Sequence, residues 1–401
     1  MMKTNRKLNF NKYAVPMFAA AALSLGSAGA HALDFGGYVR IGPGEKQNTA
    51  GDDKRCFDGH IMSGGGHFRL GNECDTYGEF TFSQGGKAGD VEYQAVLMPS
   101  FYRPGSDIGS TSLGLAQMYL SAKGFDFAPE QSFWMGRRYY NRAAVHFGDF
   151  FVVNMTGTGA GVEGIKVGSG GLGLAVFRDG DNSNTSAPNI NPLTRVNADL
   201  TKLKTNPGGE LRVTAAYTKG TGVAGSTGSG ISLQHDQTGV LGGDNTLWAQ
   251  YSQGSTGLNM GNGNPTDASS MKRWRLVESL LWKTGPLTSQ VMLMVGKEDL
   301  TALTSQSFTS VGGRVAYAFT KNFKLQGEIG VASNKPDGAP TQRLTKMTIA
   351  PTLTVGPNYY DRPELRFYVT RFNFNDTYRA AEAGLTRKSR TVAGFQAEIW
   401  F

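Results

Sequence analysis

The sequence predicts an all-β fold, an antiparallel barrel whose strands cross a membrane. Three observations carry that prediction. The closing segment alternates between apolar and polar residues, the composition is rich in glycine and aromatics, and the N-terminus reads as an export signal.

The closing segment runs from Thr391 to Phe401. In steps of two, Phe401, Ile399, Ala397, Phe395 and Ala393 form one set, and Trp400, Glu398, Gln396 and Gly394 the other. Strand side chains point to opposite faces in turn, so one face suits hydrocarbon and the other water. Trp400 is then a large ring on the wet side. A tilted membrane-spanning strand needs about nine to eleven residues, which this segment supplies.

Glycine numbers 55 and proline 15, and aromatics make up 11%. So little proline argues against a disordered chain. No run approaches the ~18 apolar residues of a membrane-spanning helix. A water-filled barrel needs apolar side chains only toward lipid, whereas a soluble β-protein of this size needs more of them to fill a core.

Lys3, Arg6, Lys7 and Lys12 precede a short apolar run, Ala14 to Leu25, and Ala30-His31-Ala32 fits a small-x-small cleavage site. Residues 1–32 are therefore expected to be a secretory signal peptide, and 33–401 one barrel domain. Without those four basic residues the formal charge falls from +8 to +4. That balance is too mild to point to nucleic acid. Cys56 and Cys74 are the only cysteines. In an exported chain they are expected to form a disulfide, stabilising by about 3 kcal/mol in the chain-entropy picture. Metal ligation with His60 and His67 would need tighter spacing, so no metal or cofactor is expected.

Along the mature chain the two-residue rhythm recurs. Leu33, Phe35, Gly37, Val39 and Ile41 alternate with Asp34, Gly36, Tyr38 and Arg40. First and last segments of this kind are what barrel closure requires. Similar alternation marks the segments around Val91–Leu97, Leu211–Tyr217, Val311–Phe319, Phe323–Val331 and Leu365–Val369. Tight turns are signalled at Asn206-Pro-Gly-Gly and Thr320-Lys-Asn. Thr218 to Gly230 and Gly254 to Ser270 read as surface loops. Short turns at one end and long loops at the other fit an outer-membrane barrel.

No catalytic signature stands out. Gly168 to Gly173 matches G-x-G-x-x-G, but a strand rhythm follows it where a helix would be needed to receive phosphate. His146 and Asp149 lie three apart and offer at most a weak hydrolytic alternative. More informative are large aromatics on polar-facing positions: Tyr38, Tyr77, Trp248, Tyr360 and Trp400, each accompanied by charged or amide residues. Ring faces rimmed by such groups suit sugars, whose C–H faces stack and whose hydroxyls exchange water for polar partners. A row of weak sites lets a solute enter and leave.

Several stretches resemble the maltoporin (LamB-type) sugar porins: Asp34-Phe-Gly-Gly-Tyr-Val-Arg40, Phe68 to Tyr77, Gly136-Arg-Arg-Tyr-Tyr-Asn-Arg142, Val145-His146, Asp149-Phe150, Gly157 to Glu163, Asn206-Pro-Gly-Gly209, Arg362-Pro363 and Glu398-Ile-Trp-Phe401. The resemblance implies eighteen strands (sixteen is the alternative), a third loop folded inward as a constriction, and a homotrimer. It maps an aromatic slide onto Tyr38, Tyr77, Tyr360 and Trp400, with Trp248 chosen by parity as a further member. It places a neighbouring subunit's slide aromatic around Phe101-Tyr102. Its polar track falls on Arg40, Arg69, Glu79, Arg142 and Asp149. Phe151 stands where the family has a constriction tyrosine, and Ala144 and Asn154 replace acidic members of the loop.

The expected function is sugar-selective passive diffusion across the outer membrane of a Gram-negative bacterium, with maltodextrin-like oligosaccharides as solute. Outer-membrane lipid and lipopolysaccharide would surround the barrel. A general, weakly selective porin is the alternative.

Overall fold

The computed structural model describes residues 33–42, 68–71, 73–103, 110–179, 192–220, 225–301, 303–382 and 385–401. The expected signal peptide, and Cys56 of the expected disulfide, lie outside these residues.

Eighteen strands form one antiparallel sheet, each paired with the next along the chain. The first, Asp34–Ile41, closes on the last, Ser389–Trp400, through Tyr38↔Trp400, Val39↔Ile399 and Arg40↔Glu398. Closure leaves no unpaired sheet edge. The count is eighteen, not the alternative of sixteen. No helix among the described residues is long and apolar enough to cross a membrane; the crossing is made by strands.

The period-2 alternation does what it predicts, with burial inverted relative to a soluble protein. Phe395 on the last strand is 57% exposed on the outside, while Arg366 beside it on strand Glu364–Phe374 is 1% exposed on the inside. The inner wall is covered because segments of chain fold into the lumen.

The first is the end of the loop after the opening strand. Phe68 stacks on Phe147 with ring centroids 6.0 Å apart. Lys346 Nζ donates to the carbonyls of Phe68 and Leu70, and Leu70 N–H donates to Glu328 Oε1 at 3.0 Å. Gly330 makes room on the wall, since a Cβ there would come within 2.4 Å of the Phe68 ring.

The second spans residues 139–156. It holds a small hairpin, Ala143–Val145 against Phe150–Val153, joined by a 3₁₀ turn at His146–Gly148. Val145, Phe147 and Val152 are buried in one cluster with Trp248, Val277, Met292 and Met294. This burial is what turns the loop inward.

Two stretches read as surface loops behave differently. Thr218–Gly220 and Thr227–Gly230 belong to strands Gly209–Gly220 and Thr227–Val240. The 254–270 stretch also reaches inward: Met260 is buried, its carbonyl accepts from Asn197 Nδ2 at 3.0 Å, and Asn154 N–H donates to Asn259 O at 2.8 Å. Its polar composition hid two apolar anchors, Leu258 and Met260. Gly168 and Ser169 form a turn into strand Gly170–Asp179, with no helix after it.

Candidate functional site

The register of three neighbouring strands sets one wall of the site. Tyr38 lies opposite Trp400 on one side and Glu79 on the other, and Arg40 lies opposite Tyr77. The inward loop faces this wall across a cavity of about 570 Å³. Tyr38, Tyr77, Trp400, Arg40, Arg69, Glu79, Arg142, Asp149 and Phe151 all line it.

The rings form a row. Tyr77 and Tyr38 centroids are 6.3 Å apart, Tyr38 and Trp400 6.5 Å, and Trp400 and Tyr360 6.5 Å. Tyr77 sits near the long-loop end of strand Thr76–Ala88. Tyr360 sits in the nine-residue turn at the opposite end, between strands Gln342–Thr354 and Glu364–Phe374. The row therefore runs along the pore.

Trp248 does not join it. Its side chain does lie on the inner face, but it is 4% exposed and belongs to the buried cluster with Phe147 and Val152. Gln250, two residues on, donates to the Val152 carbonyl at 2.9 Å, which fixes the loop over this part of the wall. Parity gives the face of a strand residue and says nothing of what a loop lays over it. Tyr102, opposite Tyr77, lines this chain's own cavity. Phe101 packs on Phe80, with centroids 5.8 Å apart.

Ion pairs hold the polar groups beside the row. Arg40 bridges Glu73 at 2.5 Å and Asp75 at 2.7 Å. Arg69 reaches Glu73 and Glu398, both at 2.9 Å, the Tyr38 hydroxyl at 2.8 Å and Asp149 at 3.7 Å. Burial works against the Arg69 charge, but Glu73 and Glu398 outweigh it and hold the guanidinium protonated well above its usual range. Glu79 accepts from the hydroxyls of Tyr77 and Tyr139.

Arg142 is held differently. Its guanidinium lies between two rings, 3.2 Å from the Tyr139 centroid and 4.8 Å from that of Phe151, and Nε donates to Thr156 Oγ1 at 3.0 Å. Cation–π contact of this kind orients a guanidinium without neutralising it.

His146, at the tip of the inward hairpin, packs edge-on against Trp400, Tyr360 and Tyr359. Its ring nitrogens face Arg69 Nη1 at 3.4 Å and Arg362 Nη2 at 3.3 Å. Burial, and then the Arg69 charge, push its pKa well below the usual imidazole range. Arg362 also lies over the Trp400 ring at 4.3 Å and bridges Glu398 at 2.8 Å. Glu73, Tyr139, His146 and Arg362 thus help build the site without having been predicted for it. All four sit in loops or turns, where no strand period assigns a face.

Comparison with known proteins agrees with this geometry. The sequence pattern described as LamB porin matches residues 33–401. A protein named maltoporin from Hahella chejuensis is 30% identical over 383 residues, covering 89% of this chain and 90% of that one. Another maltoporin, from Vibrio cholerae, is 27% identical over 423 residues, covering 96% and 98%. Among solved structures, Acinetobacter baumannii OccAB1 is similar at a TM-score of 0.54 with 9% identity, covering 92% of this chain and 96% of that one. A BenF-like porin from Pseudomonas fluorescens is similar at 0.51 with 10% identity, covering 92% and 97%. At such identities the likeness is one of fold.

Proposed function

The chain belongs to the LamB porin family, a channel of the Gram-negative outer membrane and not an enzyme, and on that premise we propose that it passes maltodextrin-like oligosaccharides by passive diffusion. The observation that carries this reading is the row Tyr77–Tyr38–Trp400–Tyr360 running along the pore beside a track of hydroxyls and ion pairs. Sugar ring faces would stack on the row in sequence. Their hydroxyls would exchange water for Arg40, Arg69, Glu79, Arg142 and Asp149 at little net cost. Each contact is weak, so the solute moves on.

The test is ion current through the purified protein in a planar bilayer. Millimolar maltotriose should block it, and Trp400→Ala should weaken the block about tenfold. Ohmic current indifferent to every sugar would point to a general porin. A homotrimer and a Cys56–Cys74 disulfide belong to the same proposal. Trimers should migrate slowly on a gel until heated.

A further inference from the structure

The charges around the cavity are not compensated evenly. Arg40 has two carboxylate partners and Arg69 has three. Arg142 has none among the described residues. Among those residues its guanidinium donates to the Thr156 hydroxyl, and its two faces are covered by Tyr139 and Phe151. Stacking covers the plane of a guanidinium and not its edge, where the N–H donors are, and Arg142 lines the cavity. Two described carboxylates that line the cavity with it are already engaged. Glu79 accepts from two tyrosine hydroxyls, and Asp149 lies 3.7 Å from Arg69. The position facing Arg142 that would give a phenolic hydroxyl, Phe151, is a bare ring.

We infer that Arg142 makes this pore prefer sugars that carry a carboxylate, such as oligosaccharides with a uronic acid residue, over neutral sugars of the same length. The inference rests on the sugar-porin reading and deepens it by naming a solute class. A guanidinium held in place by rings has lost little freedom when a carboxylate arrives, and the fork geometry matches both carboxylate oxygens. A neutral sugar offers the same edge only hydroxyl oxygens, which accept more weakly. The sugar ring would still ride on the aromatic row, with its C6 carboxylate turned toward the loop.

The experiment compares two trisaccharides in planar bilayers at 0.1 M salt: maltotriose, and the same sugar with the C6 of its terminal residue oxidised to a carboxylate. The acidic sugar should half-block the current at a concentration about five- to tenfold lower. Arg142→Ala should remove that advantage while weakening the maltotriose block about twofold, and Arg142→Lys should keep part of it. In 1 M salt the advantage should shrink, because a partly exposed charge is screened. Equal blocking by the two sugars in the native protein, or an equal loss of both in Arg142→Ala, would overturn the inference and leave the sugar pore standing. Failure of both sugars to block would sink the sugar-pore reading itself. Gel migration before and after heating shows that each variant has folded.

Discussion

The two sides of the cavity are built on opposite principles. On the strand side, positions come from backbone register, and the side chains are tied together by ion pairs. Glu398 alone touches three guanidiniums, those of Arg69, Arg362 and Arg366. On the loop side, positions come from a few apolar anchors and from arginines that donate to main-chain carbonyls. Arg275 Nη2 reaches Val152 O at 2.9 Å, and Arg195 Nη2 reaches Met155 O at 2.8 Å. One side is rigid because many bonds would have to break together. The other can change its residues without disturbing the barrel, so solute preference is more freely tuned there.

The largest effect should come from breaking the strand side. Glu398→Ala leaves Arg69, Arg362 and Arg366 short of a shared partner in a buried site. Removing one member of a buried ion cluster costs about 3–5 kcal/mol. Lower resistance to denaturant and a collapse of sugar block together are the expected outcome. A variant with native stability would show that water replaces the carboxylate and that the wall is not held by it.

A smaller, local effect is expected from Phe147→Ala on the loop side. Phe147 is fully buried, stacked on Phe68 and packed with Val145 and Val152. Phe→Ala in a packed site costs about 3 kcal/mol or more. Here the loss should release the loop and leave the sheet closed. Single-channel conductance should rise while heat-modifiable gel migration stays native. If instead the barrel itself unfolds more easily, the two sides are not independent in the way proposed.

The same contrast explains what the sequence made legible. Alternation alone assigns Tyr38, Tyr77 and Trp400 to the lumen, and the strand pairing puts them on one wall because a period of two leaves no third choice. Closure of first strand on last was readable for the same reason. Trp248 had the correct face and the wrong surroundings, since Val152 and Phe147 come from a loop about a hundred residues away in sequence. In the sequence His146 offers only a weak catalytic hint. Its place between Arg69 and Arg362 depends on three separate loops and turns meeting, which no local pattern encodes.

His146 also sharpens the comparison through pH. Its folded-state pKa lies below the ordinary value of about 6.5. The neutral ring is therefore favoured in the native loop, and the unfolded chain binds the proton more readily. Stability is fully present above the ordinary range and declines as pH falls through it. The loop side should loosen first, seen as noisier current near pH 5 than at pH 7.5. His146→Asn should flatten that dependence; an unchanged pH profile would assign it to another group.

The smallest expected effect is at Phe151. This ring lies 4.8 Å from the Arg142 guanidinium and lines the cavity. Phe151→Tyr keeps the stacking surface and adds one hydroxyl that can donate to a sugar oxygen or accept from Arg142. A hydrogen bond of this kind is worth about 1 kcal/mol, or roughly fivefold in affinity. If the new hydroxyl faces the solute, half-blocking concentrations for linear glucose oligosaccharides should fall by about two- to fivefold. If it bonds to Arg142, neutral sugars should block only slightly less well and the preference for the carboxylate sugar should decline, because a donor is then occupied. Either shift places Phe151 at the point where the loop reads the solute. Block by every sugar left as it was would mean that Phe151 serves only as a platform for Arg142, and that the loop discriminates through the charge alone.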